Sequence, residues 1–367
     1  MSFQPFKIPP SKNVKGPVGT DKDSSELDLH AQKHLLEYLA NSSEEYCRLR
    51  DLRQKGWENS RGDQYFKKQR QDADGADERA REFFYQMMKN IAVDLDKSTG
   101  ALTRGSLRTE RVLDMCAAPG GFIDQTMAMC PSINRVRAMS LPVEEGGHEI
   151  RLENKNVNVE FRDITMLAGD IGITEQDIPD NFPDRDKLIL ERVFKPDEKY
   201  DLVFCDGQIL RTHERAEWRE RGEATRLTLT QITLGLEHLS VGGTMVVLMH
   251  KLDSWRSFHL IHQFSKIADV YLYKHCKHHR TRSSFYLVAK AVQAESSYAK
   301  SLVEGWKKQY KIATFGTGED YVKMFWLDKE NTQSMVEEFG AEFVKMGIKI
   351  WKTQADGLRN APFIRGY

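Results

Sequence analysis

Asp114 and the residues that follow it, Met115-Cys116-Ala117-Ala118-Pro119-Gly120-Gly121-Phe122, hold the densest ligand-binding chemistry in the chain. An apolar run (Val112, Leu113) leads into an acid, then small residues and a glycine pair, and Phe122 opens a helical pattern. This order reads as a buried strand, a tight turn and a helix N-terminus. Glycine has no Cβ to keep a ligand away from backbone amides, and the helix that follows adds a positive dipole end. Such a turn suits a nucleotide-like ligand. The chain has neither GxxxxGK[ST] nor GxGxxG, so a lysine-bearing phosphate loop and the dinucleotide fingerprint are set aside.

The elements that must position these residues are short β runs alternating with helical segments. The runs are 111–116, 135–140, 157–161, 200–205, 244–249, 270–274 and 284–289. The alternation is the sign of a parallel sheet covered by helices on both faces. In such sheets ligands sit outside the carboxyl ends of the strands, so the residues ending each run are the chemical candidates. The second run ends at Ser140, with Glu144 and Glu145 close behind, where a nucleoside-binding fold commonly has an acid for a ribose hydroxyl. After the third stands Asp163-Ile164, a carboxylate and an apolar residue suited to the amine and face of an adenine, or alternatively a helix N-cap. The fourth ends in Cys205-Asp206-Gly207-Gln208, and Lys251 stands at the tip of the fifth.

D-x-x-A-A-P-G-G-F, with the later Asp-Leu-Val-Phe-Cys-Asp, resembles the FtsJ-like ribose 2′-O-methyltransferases over residues 111 to 292. The resemblance implies a Rossmann-like class I methyltransferase fold of the α/β class. It implies a seven-stranded, mostly parallel sheet with an antiparallel last strand, and S-adenosyl-L-methionine as cofactor. Asp114, Cys116, Ala117, Pro119, Gly120, Gly121, Phe122, Ser140, Asp163, Ile164 and Asp206 are then the expected cofactor-binding residues. Of the family's Lys-Asp-Lys-Glu tetrad, Asp206 matches the acid. The strand lysine falls on Leu248, with Lys251 the nearest lysine; the glutamate falls on Ser284; and Lys89 is the candidate for the upstream lysine. The expected catalytic residues are therefore Asp206, Lys251 and Lys89. The implied activity is methylation of an RNA ribose, and two readings stand beside it: a small-molecule O-methyltransferase, and a pseudo-enzyme that binds without turnover.

Lys274 to Arg282, Lys-His-Cys-Lys-His-His-Arg-Thr-Arg, is the expected RNA-contacting loop, through Lys274, Lys277, Arg280 and Arg282. A metal at His275, Cys276, His278 and His279 is not expected, because four ligands in five residues do not easily converge on one ion. Lys+Arg and Asp+Glu balance at 54 each, so any affinity for a polyanion must be local. The five cysteines are scattered without a CxxC pair, which favours reduced thiols. No apolar stretch approaches the ~18 residues of a membrane span, and a cytosolic or nuclear location without membrane association is expected.

Outside the sheet, residues 1–24 read as a disordered tail, 25–105 as a helical region, 106–295 as the methyltransferase domain and 296–367 as a helical extension. Within the first helical region, Leu27, Leu35, Leu36 and Leu39 recur at helical spacing, and Phe83, Phe84, Met87, Met88 and Ile91 form an expected buried face. Residues 48–70 interleave Trp57, Tyr65 and Phe66 with both charges, which suits either a nucleic-acid groove or a solvated helical face. The segment 226–243 is expected to be a helix ended by Gly242-Gly243, and 171–199 a surface loop. In the extension Met335, Phe339, Phe343 and Met346 make one stripe, and Trp306, Trp326 and Trp351 add bulk.

Overall fold

The central strands are apolar on both faces because both faces are covered. In β1 (Arg111–Asp114) Val112 and Leu113 point to opposite sides and are each 1 % exposed or less. β2 (Arg135–Ser140), β3 (Val157–Phe161), β4 (Tyr200–Cys205) and β5 (Leu239–His250) run parallel with β1, while β6 (Asp269–Tyr273) and β7 (Ser284–Val292) complete a seven-stranded sheet of order β3-β2-β1-β4-β5-β7-β6. β7 is antiparallel to both neighbours. It follows β6 through a loop without a crossover helix, and only an antiparallel pair can be joined in that way. The computed structural model describes residues 22–74, 78–220, 222–325 and 329–365. The expected tail up to residue 21, Trp326 and the side chain of Leu27 lie outside the described residues.

Ahead of the sheet come α1 (Lys22–Ser42), α2 (Glu44–Trp57), α3 (Ser60–Asp74) and α4 (Glu78–Thr99). Between strands lie α5 (Gly121–Met129), α6 (Glu217–Glu220), α7 (Glu223–Glu237) and α8 (Trp255–Ser265), and α9 (Ser297–Phe315), α10 (Gly318–Lys323), α11 (Lys329–Arg359) and α12 (Pro362–Arg365) follow it. α4 and α5 cover one face, where Met87, Ile91, Leu95, Phe122 and Ile123 meet Val112, Phe204, Val246 and Val288. α7, α8 and the terminal helices cover the other, packing on Leu113, Val203, Met245 and Val247. The stripe on α11 is core: Phe343 and Phe339 lie 4.9 and 5.7 Å from the ring of Phe258 on α8. Trp351 on the same helix lies edge-on to Tyr46 of α2 at 5.6 Å, which ties the two ends of the chain together.

Three local expectations are corrected. α7 ends at Glu237, and Leu239 already pairs with Tyr200 as the start of β5. Gly242 (φ 82°) and Gly243 sit instead where the strand's register shifts, because burying Leu239 outweighs continuing the helix. The segment 171–199 is no surface loop, since Ile171, Ile173, Ile178, Leu188 and Phe194 enter the larger core. The carboxylate of Asp170 helps hold it, accepting the amides of Val193 and Phe194 at 3.0 and 2.9 Å. Its apolar residues are spaced by prolines and turns, so they show no periodicity. Phe83, expected in the buried face of α4, is 57 % exposed.

Candidate active site

The strand ends meet at a cleft of 860 Å3. Cys116 and Ala118 enter it after β1, Ser140 at the end of β2, Asp163 and Ile164 after β3, and Asp206 after β4. His250, the last residue of β5, and Ser284, the first of β7, face each other across those two strands and complete this side. The parallel pairing of β4 with β5 ends at Cys205↔Val247, so Asp206 stands just past the paired strand, while alternation along β5 puts Leu248 and His250 on one face of the sheet.

Burial dominates the electrostatics here. It pushes the carboxyl group of Asp114 well above the usual carboxylate range, and the charge of Asp206 pushes it further, although the amide of Cys116 donates to Asp114 at 3.1 Å. Burial also raises Asp206. Among the described residues the Oδ1 atom of Asp206 is shielded from solvent and has no hydrogen-bond partner. A buried acceptor without a donor is costly, and a ligand that brings a positive charge or a donor relieves the cost.

Asp163 is in the opposite state. Its Oδ1 accepts from the backbone amide and hydroxyl of Thr165 at 3.0 and 2.7 Å, so the N-cap reading holds. Its Oδ2 takes Nη2 of Arg219 at 2.7 Å, and these partners overcome burial and hold its carboxyl group below the usual range. Arg219 also binds Glu223, which binds Arg226, and Arg226 reaches back to the carbonyl of Thr165 at 2.8 Å. This ion network was not legible in the sequence, where the expected helix starts only at Arg226 and Arg219 and Glu223 lie outside it.

The turn after β1 is shaped mostly by the rest of the chain. Gly120 adopts φ 102°, and Gly121 leaves space for α4, since a Cβ there would sit 2.3 Å from the carbonyl oxygen of Tyr85. Ala117 and Phe122 are buried, with the ring of Phe122 tilted against that of Phe204 at 5.2 Å, and the carbonyl of Pro119 accepts the amide of Arg151 at 3.0 Å. Of the expected cofactor residues, Cys116, Ser140, Asp163, Ile164 and Asp206 line the cleft; Asp114, Ala117, Pro119, Gly120, Gly121 and Phe122 stand behind that lining.

The lysines part from expectation. Lys89 is held by Asp124 at 2.6 Å and does not line the cleft. Lys251 is exposed, at φ 51° just past the end of β5, with its amide on the carbonyl of Ser283, and it does not line the cleft. Lys274 is no phosphate contact: it is 5 % exposed and donates to the carbonyls of His279, Arg282 and Ser284 at 3.2, 2.8 and 2.5 Å, and burial pulls its pKa down to about 7. Lys277, Arg280 and Arg282 do line the cleft. Sequence reasoning passed over His250, an exposed residue of the cleft wall whose pKa is lowered by partial desolvation and then by the charges of Lys274, Lys251 and Arg282.

Two clusters have the ligand types for a metal. In Asp94-His275-Cys276, Nδ1 of His275 accepts the amides of Lys277 and His278 at 3.0 Å each, and Nε2 lies 3.0 Å from Asp94, so both ring nitrogens are engaged. In Glu145-Asp163-His213, the guanidinium of Arg219 already occupies Asp163. All five cysteines are free thiols. No helix among the described residues is long and apolar enough to cross a membrane.

The model of one protein family, described as FtsJ-like methyltransferase, matches residues 86–291. Comparison with curated proteins gives no match. Among solved structures, an rRNA methylase from Streptococcus thermophilus aligns at 12 % identity and a TM-score of 0.32, over 54 % of this chain and 96 % of its own. An O-methyltransferase family protein from Burkholderia thailandensis aligns at 14 % and 0.31, over 61 % and 63 %. The S-adenosylmethionine-dependent methyltransferase SibL, in its apo form, aligns at 12 % and 0.33, over 58 % and 57 %.

Proposed function

The chain belongs to the FtsJ-like methyltransferase family, and we propose that, as an S-adenosylmethionine-dependent methyltransferase, it acts on a ribose 2′-hydroxyl of RNA. The observation that carries the reading is the buried Oδ1 of Asp206, without a partner among the described residues, just past a strand tip in a cleft also lined by Lys277, Arg280 and Arg282. The donor set fits the cofactor: Asp206 offers a buried acceptor to a cationic or hydroxyl-bearing group, Asp163 and Ile164 offer a carboxylate edge and an apolar face, and Ser140 offers a hydroxyl. Asp114, Ala117 and Pro119 to Phe122 shape the turn that holds Cys116 and Ala118 in place. S-adenosylmethionine supplies an already activated methyl group, so the protein's task is alignment of an oxygen nucleophile and disposal of its proton. His250, which lines the same cleft as Asp206 and whose pKa is lowered, is the group we assign to accept that proton, in place of Lys251 and Lys89, which do not line the cleft. Residues 106–295 form the catalytic domain in this reading, with the helical regions 25–105 and 296–367 giving the outer walls of its cleft.

Isothermal titration with S-adenosylmethionine and S-adenosylhomocysteine tests the cofactor half. Wild type binds, and Asp206→Ala binds roughly 10–100-fold more weakly, the value of a hydrogen bond to a charged group. A labelled-methyl assay on total RNA, followed by nuclease digestion, tests the acceptor half. Label on ribose is expected, with an acid limb in the rate below the free-imidazole value of about 6.5 that His250→Ala removes. Label on a base, or on small-molecule hydroxyls and not on RNA, overturns the proposal, as does folded wild type that binds no cofactor.

A further inference from the structure

The outer half of the cleft has a construction that methyl transfer does not require. Phe83 leaves the buried face of α4 and stands 57 % exposed, edge-on to Phe84 at 5.9 Å and to His278 at 6.3 Å. Both α4 and the loop 274–283 line the same cavity, and the loop is fastened to the helix. Lys274 ties the loop to itself through three carbonyls, and His275 gathers the amides of Lys277 and His278 on one ring nitrogen while meeting Asp94 of α4 at 3.0 Å with the other. The position of His278 beside Phe83 is therefore built in. The loop also carries charge of one sign: among the described residues neither Lys277 nor Arg280 makes an ion pair, although ion pairs are frequent elsewhere on this neutral chain. Asn360, Ala361 and Pro362, between the end of α11 and the start of α12, line the cavity too, and Gly357 of α11 packs directly against Arg280 of the loop. At 860 Å3 the cavity sits near the top of the ~300–1,000 Å3 usual for one small ligand, which leaves room for a second nucleoside-sized group beside a cofactor.

We infer that this outer half is a slot for one unpaired nucleotide of single-stranded RNA, its base stacked on Phe83 beside His278 and its flanking phosphates held by Lys277 and Arg280. The inference rests on the RNA reading above and adds to it the state of the substrate. Aromatic rings hold bases by their faces, and a duplex keeps those faces stacked on one another, offering only edges and backbone. Two cations on a rigid loop suit the phosphates on either side of a splayed base.

The test is fluorescence anisotropy of the full chain with a short labelled oligoribonucleotide of mixed sequence, alone and annealed to its complement. The single strand is expected to bind more tightly than the duplex. Phe83→Ala should weaken single-strand binding about tenfold and Phe83→Trp should preserve it, as stacking on an aromatic face requires. Lys277→Ala combined with Arg280→Ala should make the logarithmic salt dependence shallower by about 1.4, at roughly 0.7 per neutralised phosphate. Phe83 is exposed, so its substitutions leave the fold intact, which thermal melting checks. Equal affinity for the duplex, or indifference to Phe83→Ala, overturns the slot. The cofactor titration separates the two claims: cofactor binding with RNA affinity insensitive to Phe83 sinks the slot alone, while strand-selective, Phe83-dependent binding without cofactor binding sustains the slot and sinks methyl transfer.

Discussion

Asp114 ends β1 and Asp206 directly follows its neighbour β4, and among the described residues no cation offsets the burial of either. Their folded-state pKa values lie above the ~4 of a free carboxyl group, so the folded state holds protons that the unfolded state has released. The sign follows: stability of the ligand-free protein is greatest below about pH 4 as far as this pair is concerned, and falls as pH rises towards the folded value, about 7 for Asp206. Asp206→Asn keeps the shape and removes the charge. In denaturant titrations without ligand it should stabilise the protein by on the order of 2 kcal/mol at pH 8 and by much less at pH 4. A variant that is destabilised at pH 8 would show that Asp206 is satisfied in the folded chain. Contrast Asp163, whose carboxylate is held by Arg219 and Thr165 and contributes stability that is lost as pH falls through its lowered pKa.

Between elements, the glycine pair that suggested ligand contact also sets how closely α4 may approach α5. Gly121 leaves no room for a side chain: an added Cβ would overlap the Tyr85 carbonyl and press on Met88 at 3.0 Å. Gly121→Ala must push α4 outward or shift the turn, at a cost of about 1–3 kcal/mol in a denaturant midpoint. α4 carries Phe83, Phe84, Met87 and Met88 into the cleft, so the same substitution should weaken binding there as well. Unchanged stability would mean that α4 is not seated on the turn. The turn itself was readable from Val112 to Phe122 because a strand, a glycine break and a helix start are local patterns; its second duty to α4 was not, because Tyr85 lies far outside any local window.

At the scale of the whole molecule, the two ends of the chain form one helical body against α8, with Trp351 1 % exposed between Tyr46 and Phe343. Trp351→Ala leaves a large cavity at that junction. It should cost about 3–5 kcal/mol of unfolding free energy and increase proteolysis within α1, α2 and α11 together, whereas cleavage confined to α11 would refute the coupling. That body supplies Asn360, Ala361 and Pro362 to the cleft, so a region outside the sheet takes part in the site. The sequence by itself determined the local grammar: apolar runs of strand length, the turn after Asp114, the acids that follow β3 and β4, and dispersed reduced cysteines. These follow from side-chain alternation, from backbone freedom at glycine and from composition, all of which act over a few residues. Only the tertiary structure decided which side chains converge. The end of β5 against β7 put His250 at the cleft and left Lys251 past the strand and outside the lining; burial made Lys274 a clasp rather than a contact; and packing of α4 against the 274–283 loop set Phe83 beside His278. Each of those outcomes depends on distances between residues remote in sequence, which folding fixes through cooperative packing and no local pattern records.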